Sequence, residues 1–145
     1  MSRLSIRPMQ PDDFERIAVQ PAQASIGPDL TSATGRDLAR AGIGFAAVVD
    51  GVPVVLAGVV LSMGRPAIAW AVLSEAAGGH MTGITRAIGA FLASFGHSVE
   101  TGVERGFEAG ARWASMLGFR PLGYPPDRWE AREDMELWRR PGWEG

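Results

Sequence analysis

The sequence predicts an α+β fold in which four helices flank a mixed, mostly antiparallel sheet of about seven strands. Three apolar runs of strand length follow one another in the middle of the chain, at Phe45–Val49, Val52–Leu61 and Ala67–Leu73. Turn residues separate these runs, as in an antiparallel meander. With the elements before and after the meander, the predicted order is β-α-α-β-β-β-α-β-α-β-β. This order excludes a doubly wound parallel sheet.

The length and composition are those of one ordinary domain. The chain has 145 residues, 46% of them hydrophobic and 21% charged, and a domain of this size can fold without a disulfide or metal. We interpret residues 1–145 as a single domain with a C-terminal tail from about residue 140. No run reaches the roughly 20 apolar residues of a transmembrane helix, and the N-terminus lacks the apolar core of a signal peptide. A cytoplasmic location is therefore expected.

The residue types exclude several kinds of chemistry. Cysteine, lysine and asparagine are absent, and all 14 basic residues are arginine. Thiolate catalysis, cysteine zinc sites and lysine Schiff bases are therefore excluded. The net charge of −2 gives no electrostatic footprint for nucleic acid or an anionic membrane, so neither is an expected partner. Because His80 and His97 are too far apart in sequence for a ligand motif, no metal is expected.

The first elements are a strand and a helix. Leu4–Met9 alternates as a strand does, and Gln10–Val19 carries Pro11 and two aspartates where helices begin. Ala22–Gly35 is rich in Gly, Pro, Ser and Thr and is predicted to be a loop. Gly35–Ala41 is predicted to be a short helix.

The meander is nearly continuous in apolar residues, so we expect both faces of the sheet to be covered by helices. Asp50 and Gly51 separate its first two runs. This pair is a strong signal for a two-residue hairpin, because both turn positions need a positive φ. Ser62–Pro66 then turns the chain towards the third run.

The second half begins with a loop of small residues, Glu75–His80, and a clear amphipathic helix. Apolar residues recur every 3.6 residues from Met81 to Phe95, and Gly96 is a typical helix stop. A fifth strand follows from Val99 to Glu104. Its alternation places Glu100 and Glu104 on the outward face.

The last elements are a helix and two short strands. Glu108–Leu117 is predicted to be a helix that ends at Gly118 and buries Trp113, Met116 and Leu117. Phe119–Leu122 and Met135–Arg139 are predicted strands on either side of a polar connection, Tyr124–Asp134.

The five tryptophans divide into two groups. Trp70 and Trp113 lie in apolar elements and are predicted to be core residues. Trp129, Trp138 and Trp143 lie in the last 17 residues beside two arginines, a combination that is enriched in protein interfaces. Packing of the final strand is the default for Trp138. Trp143 is either part of a partner surface or disordered.

This order of elements resembles the GNAT acyltransferase superfamily. SIRPMQPDDFE (residues 5–15) is similar to the opening strand and helix of that family, and RWASMLGFRPLG (residues 112–123) is similar to its fourth helix with a Gly-Phe turn. AWAVLS (residues 69–74) and EAGARWASMLGF (residues 108–119) make the chain similar to small GNAT-like internal virion and assembly proteins of short-tailed phages. The resemblance covers nearly the whole chain.

The resemblance implies acetyl-CoA as the cofactor, in the V-shaped opening between the fourth and fifth strands. GNAT enzymes bind the pyrophosphate with a Gln/Arg-x-x-Gly-x-Gly/Ala loop and the N-terminus of the third helix. The matching residues here are Gly78, Gly79, His80 and Met81. Glu75 replaces the Gln or Arg of the family, and its carboxylate would repel the pyrophosphate. The alternative interpretation is a plain glycine-rich turn.

The resemblance also implies catalytic positions that have lost their functional groups. The tyrosine of the family falls on Ala114 and its asparagine on Phe107. Glu104 is the best candidate general base, and its alternative is a solvated strand carboxylate. Tyr124 is a candidate acid only in a displaced geometry, and its alternative is a partly buried or capping residue.

Two functions are left open by the sequence. One is a GNAT-fold, acetyltransferase-like protein of phage type with a degenerate acyl-CoA site, which would be an acyl-CoA-dependent N-acyltransferase if active. The other is a non-catalytic virion or assembly protein that acts through protein–protein contacts. Its partners would be phage particle components or a second copy of the chain, and its location the host cytoplasm or the virion.

Overall fold

The structure is a computed structural model that describes residues 3–20, 30–61, 64–125 and 135–143. Its strands are β1 (Leu4–Pro8), β2 (Gly42–Val49), β3 (Val52–Val60), β4 (Ala67–Leu73), β5 (Val99–Glu104), β6 (Arg120–Pro121) and β7 (Met135–Arg140). Its helices are α1 (Asp13–Arg16), α2 (Ser32–Ala41), α3 (Met81–Phe95) and α4 (Glu108–Met116), and a 3₁₀ helix, Glu75–His80, precedes α3. The predicted α+β class and the order of helices and strands are confirmed.

The strands of the described residues form one seven-stranded sheet in the order β1-β2-β3-β4-β5-β7-β6. The β1–β2, β2–β3, β5–β7 and β6–β7 pairs are antiparallel, and the β4–β5 pair is parallel. The sheet is therefore mixed and mostly antiparallel, as predicted. The chain divides into two compact units, Met1–Leu61 with Ala69–Ile84 and Ser62–Ile68 with Thr85–Gly145.

In the first unit, β2 and β3 form the predicted hairpin. Asp50 and Gly51 have φ angles of 50° and 83°, so both turn positions are in the left-handed region. The consecutive residues Val54, Val55 and Leu56 of β3 are all buried. Because successive strand residues point to opposite faces, both faces of this strand are covered.

One face of this unit holds a hydrophobic cluster contributed by α1, the strands and the segment after α1. Its buried members are Phe14, Ile17, Ala46, Val48, Leu56 and Val72. Trp70 of β4 packs against the cluster, with its ring centroid 5.6 Å from that of Phe14. The first two helices are therefore held to the sheet by apolar burial.

The first two helices differ in length from their predictions. The helix predicted over Gln10–Val19 covers only Asp13–Arg16, because the backbone becomes extended at Ile17. The loop predicted over Ala22–Gly35 is wrong at its end. The Thr31 side chain accepts a hydrogen bond from the Thr34 amide and caps α2, which begins at Ser32, three residues before Gly35. Residues 21–29 lie outside the described residues.

A buried ion pair joins β1 to α1. The side chain of Asp13 is fully buried, and both of its carboxylate oxygens accept hydrogen bonds from Arg7 at 2.8 Å. The Gln10 amide donates a third hydrogen bond at 2.8 Å. Burial alone raises the pKa of Asp13, but the hydrogen bonds from Arg7 and Gln10 outweigh it, so the pKa is lowered. Asp13 therefore stays ionised inside the fold.

In the second unit, β5 pairs with β7 along all six residues, and α3 and α4 are joined by two side chains. Trp113 Nε1 donates to Thr85 Oγ1 at 2.8 Å. Arg140 donates to the carbonyl oxygens of Leu92 and Leu117, near the ends of α3 and α4. The hydrogen bonds of Arg140 therefore connect β7 to the C-terminal ends of α3 and α4.

The predicted buried side of α4 is partly wrong. Met116 is 65% exposed, whereas Ala114 and Leu117 are buried. Residues three apart lie on one helix face, so Ala114 and Leu117 point inwards together and Met116 turns away.

The following strand β6 has two residues instead of the predicted Phe119–Leu122. Most of the predicted connection Tyr124–Asp134, with Trp129, lies outside the described residues.

The segment after β7 is fixed to the end of α3. The Trp143 amide donates to Gly96 O at 2.9 Å, and Trp143 Nε1 donates to Ala93 O at 2.9 Å. The ring lies against Gly96, where an added Cβ would come within 2.8 Å of three ring atoms. The residue as a whole is nevertheless 76% exposed. Trp143 thus contacts the end of α3 on one side and is open to solvent on the other.

We expect Asp13→Asn to lower the free energy of unfolding by about 3 kcal/mol at neutral pH, because it leaves Arg7 without its buried partner. The folded-state pKa of Asp13 is lowered, so the pair stabilises the fold above the unfolded-state pKa of about 3.9. This stability is lost as the pH falls through the folded-state pKa. Urea unfolding at about pH 7 and about pH 2.5 should show the difference from wild type shrinking in acid. A difference that does not change with pH would contradict the assignment.

Replacing Gly96 by alanine should lower the free energy of unfolding more than replacing Gly51 does, although both glycines have positive φ. Gly51→Ala meets no atom within 4 Å among the described residues and should cost only backbone strain, about 1 kcal/mol. Gly96→Ala must also displace the Trp143 ring, so we expect roughly 2–3 kcal/mol in chemical denaturation. In a Trp143→Ala background the two costs should become equal. Equal costs in the wild-type background would show that the ring does not pack on Gly96.

Candidate functional site

The segment between β4 and α3 is a 3₁₀ helix, so the loop predicted there is wrong. Ser74 starts it, because its amide donates to Val54 O at 2.8 Å and its Oγ accepts from the Ala76 amide at 3.2 Å. The helix covers Glu75–His80 and leads directly into α3 at Met81. Small residues suit a 3₁₀ helix, since side chains three residues apart eclipse one another in it.

Gly78 and Gly79 leave their backbone uncovered. Both residues are exposed, and a Cβ added to either would meet no described atom within 4 Å. Neither has a positive φ, so glycine is not required there by packing or by backbone conformation. The open space is compatible with close approach of a ligand to the main chain.

The charges around this segment are mixed. The N-terminus of α3 carries the partial positive charge of the helix dipole, and the first turn of α3 contains no acidic residue. Glu75, however, places an exposed carboxylate in the first turn of the 3₁₀ helix, and His80 is half-buried at its end. A 3₁₀ helix also uses amides in bonds to carbonyls three residues earlier. A bound phosphate would therefore have to compete with those internal bonds.

The prediction that Glu100 lies on the outward face of β5 is wrong. Its side chain is buried, with the residue only 3% exposed, and its Oε2 accepts hydrogen bonds from Arg139 Nε at 3.0 Å and Nη2 at 2.5 Å. The alternation of polar and apolar residues along β5 does not indicate burial here, because both faces of the strand are covered at this point. Val99, on the opposite face from Glu100, is buried as well. Glu100 is thus held as the carboxylate of an ion pair.

The two catalytic candidates, Glu104 and Tyr124, both lie in the second unit. Glu104 is exposed at the last position of β5, opposite Met135. Tyr124 is half exposed, and its carbonyl oxygen accepts from the Leu137 amide at 2.8 Å. Leu137 is opposite Gly102, two residues before Glu104. The register therefore brings both candidates to the same end of the β5–β7 pair, and their catalytic roles stay predictions.

Packing residues occupy the two positions to which the resemblance to GNAT enzymes assigns a tyrosine and an asparagine. Ala114 is buried, and its carbonyl oxygen accepts from the Phe119 amide at 3.0 Å. Phe107 precedes α4, and a Cβ added to Gly110 would lie 2.6 Å from the Phe107 ring. Neither side chain can donate a proton.

The sequence distinguishes Arg139 only as one of the two arginines beside the C-terminal tryptophans, and it does not distinguish Arg120 at all. Arg139 is opposite Glu100 across β5–β7, and Arg120 is opposite Arg139 across β6–β7. No single-strand pattern could have found this arrangement, because it depends on the register between strands that are distant in sequence.

Within the part of the chain that the structure describes, no three His, Asp or Glu side chains are grouped so that they could hold a metal ion. In the same residues, no helix has the length and apolar character needed to cross a membrane.

Solved structures of N-acetyltransferases have a similar fold. Ard1 from Thermoplasma volcanium is similar with a TM-score of 0.72 and 20% identity, over 94% of this chain and 96% of that chain. An N-acetyltransferase from Staphylococcus aureus Mu50 is similar with a TM-score of 0.69 and 11% identity, over 96% and 97%. The ribosomal-protein-S18-alanine N-acetyltransferase from Escherichia coli is similar with a TM-score of 0.65 and 14% identity, over 96% and 94%.

The protein therefore has the GNAT N-acetyltransferase fold. No model of a known protein family matches the sequence, and no curated protein matches it significantly. At these identities the similarity establishes the fold, and the activity has to be argued from the site. The closer resemblance to phage proteins and the expected protein partners stay predictions.

Proposed function

We propose that the protein is acetyltransferase-like and binds acyl-CoA through Gly78, Gly79, His80 and Met81. The observation that supports this proposal is the uncovered glycine backbone directly before α3 in a GNAT fold. Glycine at these two positions serves no packing need within the described residues, whereas it does allow a pyrophosphate to approach the main chain. The N-terminus of α3 adds favourable dipole interaction with an anion.

The fit is better for the backbone than for the side chains. A charge near a helix terminus changes an interaction by about 0.3–1 kcal/mol when it is exposed, so the carboxylate of Glu75 weakens binding of the pyrophosphate by roughly twofold to fivefold. That penalty is smaller than the contribution of even one amide hydrogen bond to a charged group, about 1.5–3 kcal/mol, once that amide is released from its internal bond in the 3₁₀ helix. Binding is therefore weakened by Glu75 without being prevented.

Acyl-CoA would supply an acyl group activated as a thioester, and the expected acceptor is an amine. Glu104 is the residue proposed to accept the amine proton, because it is exposed at the end of β5. GNAT enzymes protonate the departing thiolate with a tyrosine, and the resemblance assigns that position to Ala114. Its methyl side chain cannot donate a proton to the thiolate. Loss of a general acid costs about 10²–10⁴-fold in rate. We therefore propose a slow N-acyltransferase.

The second candidate is the non-catalytic protein of phage type that acts through protein contacts. Two exposed apolar side chains favour it, Trp143 and Met116, because tryptophan and methionine are enriched in protein interfaces. Self-association and binding to another protein are both compatible with this observation.

Acetyl-CoA should raise the thermal midpoint of the wild-type protein. A ligand at about twenty times its Kd stabilises the native state by about 1.8 kcal/mol, which corresponds to roughly 4–7 °C for a domain of this size. We expect the combined substitution Gly78→Val and Gly79→Val to abolish the shift, because the added side chains occupy the space above the backbone. Differential scanning fluorimetry with millimolar acetyl-CoA measures the shift in the wild-type protein and in the double variant.

The matched control is Gly89→Val. Gly89 is a glycine of α3 that likewise has no described atom within 4 Å of an added Cβ, but it lies more than two turns from the proposed site. This variant should keep the full shift. Absence of a shift in the wild-type protein would remove the acyl-CoA proposal, and loss of the shift in Gly89→Val would show that the effect is not local.

Replacing Glu75 by glutamine should tighten acetyl-CoA binding by about twofold to fivefold, because it removes the like charge beside the pyrophosphate. The same change should lower the free energy of unfolding slightly, since an acidic residue at a helix start is stabilising. Isothermal titration calorimetry at low salt tests the affinity, and high salt should reduce the difference between variant and wild type. Equal or weaker binding by Glu75→Gln would place the pyrophosphate elsewhere.

A further inference from the structure

Three charged residues lie in one row across the sheet of the second unit. Glu100 of β5 is opposite Arg139 of β7, and Arg139 is opposite Arg120 of β6. Directly opposite residues of antiparallel strands project from the same face of the sheet. The row therefore carries one negative and two positive charges side by side, with a net charge of +1.

Glu100 fixes the orientation of Arg139. Both described hydrogen bonds between them, from Nε and Nη2, reach the same buried carboxylate oxygen. One edge of the planar guanidinium is thereby directed at Glu100. The pKa of Arg139 is raised, first by the hydrogen bond to Glu100 and further by the charge of the same carboxylate, against the lowering effect of burial.

The remaining donors of Arg139 are available to a ligand. Its side chain is 41% exposed, and Nη1 donates no hydrogen bond to any described residue. A guanidinium has five N–H groups in a rigid fork, so the Nη1 donors point away from the edge that Glu100 occupies. Because Glu100 already holds the side chain, a ligand would bind it with little further loss of side-chain entropy.

Arg120 brings a second positive charge that no described carboxylate balances. Its described hydrogen bond runs from Nη1 to the carbonyl oxygen of its neighbour Phe119 at 3.0 Å, and none of the described ion pairs includes it. It stands on the two-residue strand β6 at the edge of the sheet. Like charges directly opposite each other destabilise a strand pair, and an anion between Arg120 and Arg139 would remove this repulsion.

We propose that Arg139 and Arg120 form a binding site for the carboxylate of a small molecule or of a peptide C-terminus on this face of the sheet. The net charge of the row favours a carboxylate over a phosphate, because one negative charge balances it and a dianion would leave an excess next to Glu100. The proposal does not depend on acyl-CoA binding. Free acids and peptide termini share this chemistry, and the test separates them.

The test uses the full chain and three probes at equal ionic strength. Acetyl-diglycine carries a terminal carboxylate, acetyl-diglycinamide is the same molecule without it, and acetate is a free acid without a peptide. Nitrogen–proton NMR of the arginine side chains reports on the Nε groups of Arg139 and Arg120. We expect a saturable shift at both with acetyl-diglycine and none with its amide. Acetate binding equally well identifies a free acid as the sufficient ligand, and weaker binding identifies the peptide terminus.

Substitutions can localise the site while keeping a positive charge next to the buried carboxylate of Glu100. Arg120→Gln should weaken acetyl-diglycine about tenfold, since it removes one charge and its donors from the row. Arg139→Lys keeps the charge beside Glu100 but loses the fork, and it should weaken binding by a similar factor. Arg112→Gln, an exposed arginine of α4, is the matched control and should bind like the wild type.

Three results would overturn the proposal. The first is an equal response to acetyl-diglycine and its amide, which would show that the carboxylate is not recognised. The second is an unchanged affinity in Arg120→Gln. The third is tighter binding of inorganic phosphate than of acetyl-diglycine, which would replace the carboxylate assignment by a phosphate site.

Discussion

Within the described residues, each unit of this protein buries one carboxylate and holds it with an arginine that remains partly exposed. Asp13 is paired with Arg7 in the first unit, and Glu100 with Arg139 in the second. An unpaired carboxylate in either place would cost several kcal/mol of desolvation, so the position of α1 against β1 and the pairing of β5 with β7 both depend on these arginines. Because the chain has no lysine, the positive charge that pairs with each of these carboxylates comes from the planar guanidinium of an arginine.

The element pattern can be predicted from the sequence because it depends on local periodicity. The predicted bounds of Ala67–Leu73 agree with those of β4, and the Asp50-Gly51 turn follows from the φ angles that its residues tolerate. Predictions are wrong where a distant contact decides the conformation. The burial of Glu100 depends on an arginine 39 residues away, and no alternation within β5 could show it. The 3₁₀ helix at Glu75–His80 escapes prediction because runs of small residues also suit loops.

The candidate site has two kinds of feature. One kind depends on the backbone fold, and the other depends on the identity of particular side chains. A helix N-terminus and an open glycine backbone depend mainly on topology and on the absence of side chains at Gly78 and Gly79. Acid–base groups depend on residue identity, and here the relevant positions hold Ala114 and Phe107. Similarity to N-acetyltransferases at 11–20% identity establishes the fold, which positions the first kind of feature. The second kind can be judged only from the side chains themselves.

This separation determines which property the protein should have retained. Binding depends on a sum of several backbone contacts, so a single unfavourable charge such as Glu75 reduces it by a small factor. For the proposed acyltransferase, the rate of acyl transfer would depend on one or two groups, and the absence of an acid at Ala114 would reduce that rate by orders of magnitude. The proposed protein would therefore bind acyl-CoA better than it transfers the acyl group. The slow enzyme would act on an amine with bound acyl-CoA, whereas the non-catalytic alternative would act through protein contacts.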